Sequence, residues 1–297
     1  MKWIKAARLR TLPLSLAGII MGGALSYTNE FNPLIFWLCI ATATAFQVLS
    51  NFANDYGDFA KGTDNDNRIG PTRTMQAGLI SKNEMLTALV LTSIISLALG
   101  GYLSYLGTQL MATKYLVLFL VLGMASVIAA INYTVGKNAY GYSGLGDIFV
   151  FVFFGLVGVL GSKFLIAGGL NWIEILPALS IGVFSVGVLN LNNMRDEHND
   201  KANSKNTLVV KIGLNKAKIY HYFLISSGVL FLLIHTLFTF CSYWQLLFLL
   251  PTYFLIKHLR VVQQTTVNKE LDSELKKVAL ATFFCSLLYF LGIYLSC

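Results

Sequence analysis

Two polar runs interrupt an otherwise apolar chain. The first reads Asn51-Phe52-Ala53-Asn54-Asp55-Tyr56-Gly57-Asp58 and continues through Lys61, Thr63 and Asp64. The second reads Asn190-Leu191-Asn192-Asn193-Met194-Arg195-Asp196, with Asp200 four residues on. On a helix, Asn51, Asp55 and Asp58 share one face, as do Asn54 and Asp58, and as do Asn192, Asp196 and Asp200. Like charges placed this way destabilise a helix unless a cation sits among them. Carboxylate and amide oxygens without His or Cys are hard donors. They suit Mg²⁺, which takes one or two carboxylates and leaves positions for phosphate oxygens. Two such clusters facing each other read as a seat for a Mg²⁺–diphosphate complex, and the nearby Lys61, Arg68, Arg73 and Lys137 could neutralise its phosphate oxygens. Either cluster alone could be a solvated, capped helix end. Two matched clusters in a membrane chain favour function, because ionisable groups at membrane depth are costly to keep.

The elements that must position these residues are membrane helices. Of 297 residues 56% are hydrophobic and 12% charged, with mean hydropathy +0.65; soluble domains carry about a quarter charged residues. A helix needs roughly 20 apolar residues to cross the hydrocarbon core. Nine runs qualify: Leu12–Tyr27, Pro33–Asn51, Met85–Leu106, Tyr115–Thr134, Leu145–Ala167, Trp172–Asn192, Ala217–Phe240, Tyr243–Ile256 and Val278–Leu295. The eighth is short and contains Pro251. When the nine spans alternate across the membrane, all of the 22 Lys and Arg residues except Lys114 and Lys163 fall on one side. Basic residues are retained in the cytoplasm, so the pattern predicts a cytoplasmic N-terminus and an external C-terminus. The net charge of +8 is then topological, and nucleic-acid binding is not needed to explain it. The basic, then apolar stretch from Met1 to Tyr27 resembles a signal peptide, but further spans follow, and it reads as a retained first helix. The whole chain, 1–297, reads as one all-α integral membrane domain. Both polar runs close an even-numbered span, so they can meet at one end of the bundle. Each precedes a Lys and a Thr (Lys61 and Thr63, Lys205 and Thr207), which hints at an old duplication. Gly18 and Gly22, and Gly155, Gly158 and Gly161, are spaced for close helix packing.

These residues resemble the UbiA-type intramembrane prenyltransferases. That family's first signature is Asn-Asp-x-x-Asp, here Asn54-Asp55-x-x-Asp58, and its second is Asp-x-x-x-Asp, here Asp196 and Asp200. Most members carry a third acid four residues after the second; Gly62 stands there, and the acid is Asp64. The extended string from Asn51 to Asp64, with Arg68, Gly70-Pro71, Arg73 and Gln76, is similar to the 1,4-dihydroxy-2-naphthoate polyprenyltransferase branch. So are Asn192-Asn193-x-Arg195-Asp196, Lys205-Asn206-Thr207-Leu208, Tyr140-Gly141-Tyr142 with Gly144-Leu145-Gly146, and the N-terminal Trp3, Arg8 and Arg10-Thr11-Leu12-Pro13. Spans seven to nine match only as spans.

The resemblance implies a nine-helix bundle around a central cavity open to lipid, in a bacterial inner membrane with the site facing the cytoplasm. It implies Mg²⁺ as the cofactor and a polyprenyl diphosphate and an aromatic acid as the substrates. The acceptor carbon that bears the carboxylate attacks the allylic cation, CO₂ leaves and a demethylmenaquinol forms. On that footing Asp55, Asp58, Asp196 and Asp200 hold the metal, aided by Asn54, Asp64 and Asn192. Asn51 ranks next, although it could only cap or bridge helices. Lys137 and Arg10 are placed against the diphosphate, with an ordinary cytoplasmic cation as the alternative for each. Tyr133 and Tyr140 could steady the allylic cation with their ring faces; interfacial anchoring is the competing role. Arg195 reads as a structural partner of Asp196 or Asp200, and His198 as a solvated loop residue. His221, His235 and His258 receive no chemistry, and Asp272 and Ser273 read as a cap for the last helix. Phe149, Phe151, Phe153 and Phe154 read as packing or lipid-facing residues, some of which could line a prenyl groove. Cys39, Cys241, Cys285 and Cys297 have no CxxC spacing and read as small hydrophobes. Two alternatives stand beside this reading. One is a prenyltransferase for 4-hydroxybenzoate or homogentisate, and the other is a secondary transporter with acids inside a repeat. Acids clustered at one membrane face in parallel repeats argue against transport.

Overall fold

A computed structural model describes residues 1–27, 31–65, 69–266 and 268–296. Every regular element among them is helical. A short α1 (Lys2–Ala7) leads through a 3₁₀ turn to α2 (Leu12–Leu25), followed by α3 (Pro33–Ala60), α4 (Lys82–Thr108) and α5 (Thr113–Asn132). The next crossing is composite: α6 (Gly146–Val150), a π-helical stretch (Phe151–Gly161) and α7 (Ser162–Ala167). Then come α8 (Ile175–Ala202), α9 (Leu208–Ile212), α10 (Leu214–Phe238), α11 (Leu249–Gln264) and α12 (Leu271–Ser296).

Local chemistry sets several of these ends. Asn32 accepts hydrogen bonds from the amides of Leu34 and Ile35, and Pro33 follows it at the first helical position, where its missing N–H costs nothing. Ser81 and Glu84 form a reciprocal capping box on α4. Gly168 ends α7 at φ 77°, a conformation that disfavours side chains with a Cβ.

Eight helices among the described residues are long and apolar enough to cross a membrane. They coincide with eight of the nine runs. The first run folds as α2, whose 14 residues span about 21 Å at 1.5 Å per residue, short of a hydrocarbon core of ~30 Å. The helices are apolar outward: Leu91, Ile94, Val121, Met124 and Ile128 are all exposed, as suits a lipid-facing surface. Of the most apolar window, 72% is buried in the α8 span against 17% in α4 and in α5. Thus α8 is the central post, and α4 and α5 form the outer wall.

Small residues bring the helices around α8 close together. A Cβ added at Gly18 would sit 2.7 Å from the Phe154 carbonyl oxygen, and one at Gly155 would sit 2.6 Å from Gly182 Cα. Backbone therefore lies on backbone between α2, the π-helical stretch and α8, as the glycine spacing predicts. The wide π-helical turn falls within this crossing, next to the cavity described below; such turns recur at functional sites.

Candidate active site

The carboxyl ends of α3 and α8 meet at one end of the bundle. Asn199 on α8 donates to the Thr63 carbonyl at 3.0 Å, which ties the second polar run to the loop after the first. Lys205 Nζ stands between the clusters, 4.0 Å from Asp58 and 3.7 Å from Asp200. Asp55, Asp58, Asp64, Asp196 and Asp200 are all buried.

Arg73 organises the first cluster. It donates to Asp58 Oδ2 at 2.6 Å and to the Asn54 carbonyl at 2.7 Å. It also lies 3.1 Å from Asp64 and 3.8 Å from Asp55. Burial alone would depress the Arg73 guanidinium; Asp58, Asp64 and Asp55 outweigh that and hold it above the ordinary arginine value. Asp55 accepts from Thr74 at 2.8 Å and pairs with Arg8. Arg8 has left-handed backbone, φ 49°, uncommon for a residue with a side chain. It turns the chain between α1 and α2 so that its side chain reaches Asp55. Asp58 also accepts from the Tyr142 hydroxyl at 2.7 Å, and Thr63 Oγ1 lies 2.6 Å from the same hydroxyl. Burial, and then the Asp58 charge, push the Tyr142 phenol well above its usual value, so it stays a donor.

The displaced third acid has a backbone cause. Gly62 reverses the chain after α3 at φ 72° with open space around it. Conformation, not crowding, disfavours an acid there. The Thr63 amide then returns to the Asp58 carbonyl at 3.0 Å, and the reversed loop delivers Asp64 to Arg73.

The second cluster is knotted by its own arginine. Arg195 grips both carboxylate oxygens of Asp196 at 2.9 and 2.6 Å, donates to Asn192 at 2.8 Å and pairs with Asp272 on α12 at 2.6 Å. The expected Arg195–Asp196 pair is present. Asp272 lies inside the first turn of α12 and turns to Arg195, in place of the cap expected of it.

A cavity of about 550 Å³ opens from these clusters into the bundle. Arg10, Asn54, Asp58, Arg73, Asn192 and Lys205 line its charged end. Its deeper wall is apolar, with Leu103, Phe119, Leu122, Phe153, Phe154 and Leu165. Tyr133 and Tyr140 lie along it, edge to face with centroids 5.3 Å apart, and Tyr140 stacks on Phe149 at 3.8 Å. Burial first, then the neighbouring Tyr133, raises the Tyr140 phenol above its usual value, so that ring remains neutral. Phe149, Phe153 and Phe154 are therefore groove residues.

Other candidates are spread more widely. Asn51 lines the cavity, yet its amide donates to the Ala7 carbonyl at 2.8 Å and to Thr11 at 3.0 Å, bridging α3 to the N-terminal turn. Arg10 lines the cavity too. Desolvation depresses its guanidinium; Asp272 opposes that effect, and Arg195 and Arg73 add to it. Lys61 lies 3.8 Å over the Tyr142 ring and does not line the cavity. Lys137 is exposed in the loop after α5 and does not line the cavity. Arg68 falls outside the described residues. His198 is exposed beside Glu197. Sequence reasoning left Thr74 unmentioned, named Arg8, Tyr142 and Lys205 as parts of the resembling strings, and read Asp272 as a helix cap. The Lys-x-Thr echo pointed at Lys205, and the Tyr-Gly-Tyr string contained Tyr142.

The site's donors are all carboxylate and amide oxygens, the hard set that Mg²⁺ prefers. Among the described residues, no three acidic, His or Cys side chains close on one point as a metal cage. Arg73, Lys205 and Arg195 stand among the acids in that place.

Residues 15–288 match the model of the UbiA prenyltransferase family. The chain is 43% identical over 295 residues to the 1,4-dihydroxy-2-naphthoate octaprenyltransferase of Escherichia coli (strain K12), covering 99% of this chain and 95% of that one. It is 41% identical to the Haemophilus influenzae enzyme of the same name, covering 98% and 95%. Its fold is similar to that of a UbiA homologue from Aeropyrum pernix K1, with TM-score 0.71 at 14% identity over 97% of this chain and 98% of that one. An Archaeoglobus fulgidus homologue, with DMAPP and Mg²⁺ bound, superposes with TM-score 0.68 at 14% identity over 99% of both chains.

Proposed function

The chain belongs to the UbiA prenyltransferase family, and from that premise we propose the reaction it performs. It transfers a polyprenyl group from an allylic diphosphate to 1,4-dihydroxy-2-naphthoate in menaquinone biosynthesis. The observation that carries this is a single cavity with two ends of opposite character. Asp58 of α3, Arg195 of α8 and the cations Arg10, Arg73 and Lys205 make one end, and the phenylalanine-lined interior makes the other. A prenyl diphosphate has the same two ends.

The oxygen-only donor set fits Mg²⁺. Lys205, within 4.0 Å of both Asp58 and Asp200, shows that these carboxylates already attract positive charge. Asp55, Asp58, Asp196 and Asp200 would hold two ions, with Asn54, Asp64 and Asn192 adding oxygens. Bound there, the metal supplies positive charge to the diphosphate as its C–O bond breaks. Arg73, Lys205 and Arg10 orient the diphosphate oxygens by charge-assisted hydrogen bonds. The C–O pair leaves with the diphosphate. Tyr133, Tyr140 and Phe149 present ring faces to the allylic cation, and the apolar wall excludes water that would quench it. The naphthoate carbon bearing the carboxylate forms the new C–C bond. Its carboxylate then departs as CO₂ and leaves its electron pair in the ring, so no redox partner is needed.

The same reading places α2 as a ninth crossing, packed inward against α12 and the π-helical stretch. It sets the N-terminus and the catalytic end in the cytoplasm of a bacterial inner membrane; the one-sided Lys and Arg distribution supports this.

Purified protein given 1,4-dihydroxy-2-naphthoate, a polyprenyl diphosphate and Mg²⁺ should yield the prenylated, decarboxylated quinol by mass spectrometry, and EDTA should abolish it. Parallel reactions hold 4-hydroxybenzoate or homogentisate. Product with one of those alone would overturn the acceptor. No product with any acceptor, from folded protein, would overturn the reaction.

A further inference from the structure

The last helix, α12, carries no part of the two acidic signatures, yet its first turns line the cavity with Asp272, Ser273, Leu275, Lys276 and Ala279. Asp272 lines the cavity and pairs with Arg195 at 2.6 Å. The remaining nitrogens of that guanidinium hold Asp196 and Asn192. Arg195 is 2% exposed and Asp272 40%, so a buried cation is shared between one buried and one half-open carboxylate.

The turn that carries Asp272 is held firmly. Leu271 is buried in the core. Two residues on, Glu274 points away from the cavity and lies 2.6 Å from His258 Nδ1. His258 Nε2 lies 2.7 Å from His221 Nε2, and Lys277 pairs with the other oxygen of Glu274. With Glu274 ionised and both imidazoles neutral, each proton in this chain has one place: His258 Nδ1–H donates to Glu274, and His221 Nε2–H donates to His258. His221 Nδ1 remains a buried acceptor without a hydrogen-bond partner, packed against Gly187 of α8. This polar chain joins α10, α11 and α12, and the transfer chemistry does not use it.

We propose that Asp272 is a positioning residue for the second metal-binding cluster, acting through Arg195. A buried guanidinium left with one carboxylate holds that carboxylate tightly, because an unpaired buried charge is costly. Asp272 gives Arg195 a second carboxylate and so lets Asp196 turn from the arginine to a cation without stranding the arginine. The Glu274–His258–His221 chain keeps Asp272 within reach. The inference rests on the Mg²⁺ reading above.

The test is a Mg²⁺ titration with two readouts, prenyl transfer and the thermal shift of the full chain with inorganic pyrophosphate. Asp272→Asn should raise half-saturating Mg²⁺ about tenfold in both, a change of ~1.4 kcal/mol, and turnover should be largely restored at saturating metal. Asp272→Glu should titrate like wild type, and Glu274→Gln should shift in the same direction by less. If Asp272→Asn lowers the melting temperature or turnover while its Mg²⁺ midpoint stays at the wild-type value, Asp272 is merely structural and the proposal falls. If wild type itself shows no Mg²⁺ dependence in either readout, the metal reading falls with it.

Discussion

The two acidic clusters contain similar residues but are neutralised differently. In the first, the cations come from distant parts of the chain: Arg8 before α2, Arg73 in the loop before α4 and Lys205 after α8. In the second, the principal cation is the next residue in sequence, Arg195 beside Asp196. The first cluster therefore exists only once the chain is folded, whereas half of the second is written into one helical turn. Losing an acid should damage chemistry in either. Losing a cation should damage the fold in both, most where one cation serves three buried acids, as Arg73 does.

The largest expected effect is on turnover. Asp58 touches Arg73, Tyr142 and Lys205 at once. Asp58→Asn keeps the shape and removes the charge, and prenyl transfer should fall about 10²–10³-fold, the scale for removing one preorganised electrostatic group. A thermal melt close to wild type would confirm that chemistry was lost, not the fold. Transfer within a few fold of wild type would remove Asp58 from the site.

Next comes stability. Arg73→Leu strips a shared cation from Asp55, Asp58 and Asp64, all buried, and breaking one side of a buried pair costs about 3–5 kcal/mol. Denaturation in detergent should show that loss, and Mg²⁺ should recover part of it by supplying charge to the same oxygens. Equal losses from Arg73→Leu and from Lys137→Leu would erase the contrast between buried and solvated cations.

A smaller effect is expected at Tyr142. Tyr142→Phe deletes one hydrogen bond to a charged group, worth ~1.5–3 kcal/mol, and should slow transfer roughly ten- to a hundredfold. The pH profile sharpens this. Burial, with Asp58 second, raises the Tyr142 phenol, so it stays protonated through and above the usual tyrosine range near pH 10. Wild-type activity should therefore show no loss from tyrosine ionisation as pH rises toward 10. A break there that disappears in Tyr142→Phe would contradict the assignment.

What the sequence made legible follows the same division. Apolar runs recover eight crossings because bilayer thickness dictates their length. The acids are legible because helical periodicity puts Asp55 with Asp58 and Asp196 with Asp200 on shared faces. Arg195 is legible as a neighbour of Asp196. Arg8, Thr74 and Asp272 are not legible as partners of the acids, because each meets its partner only through tertiary folding and helix spacing carries no such information. Asp272 reads locally as a helix start. Only the packing of α12 against α8 turns it toward Arg195. The shortness of α2 was also hidden, since an apolar run does not reveal where its helix ends.

The smallest effect belongs to Lys137, and it decides how far a motif position can be trusted without geometry. Resemblance puts this lysine against the diphosphate. The folded loop leaves it exposed and outside the cavity lining, while Arg73 and Lys205 already stand among the acids. A solvated cation contributes little in high dielectric and is screened by salt. Lys137→Ala should therefore keep transfer within about twofold of wild type, with unchanged Mg²⁺ dependence, since exposed pairs contribute ~0–1 kcal/mol. A tenfold rise in KM for the prenyl diphosphate would show that the loop after α5 folds over the cavity when substrate binds, and would put Lys137 with the first cluster.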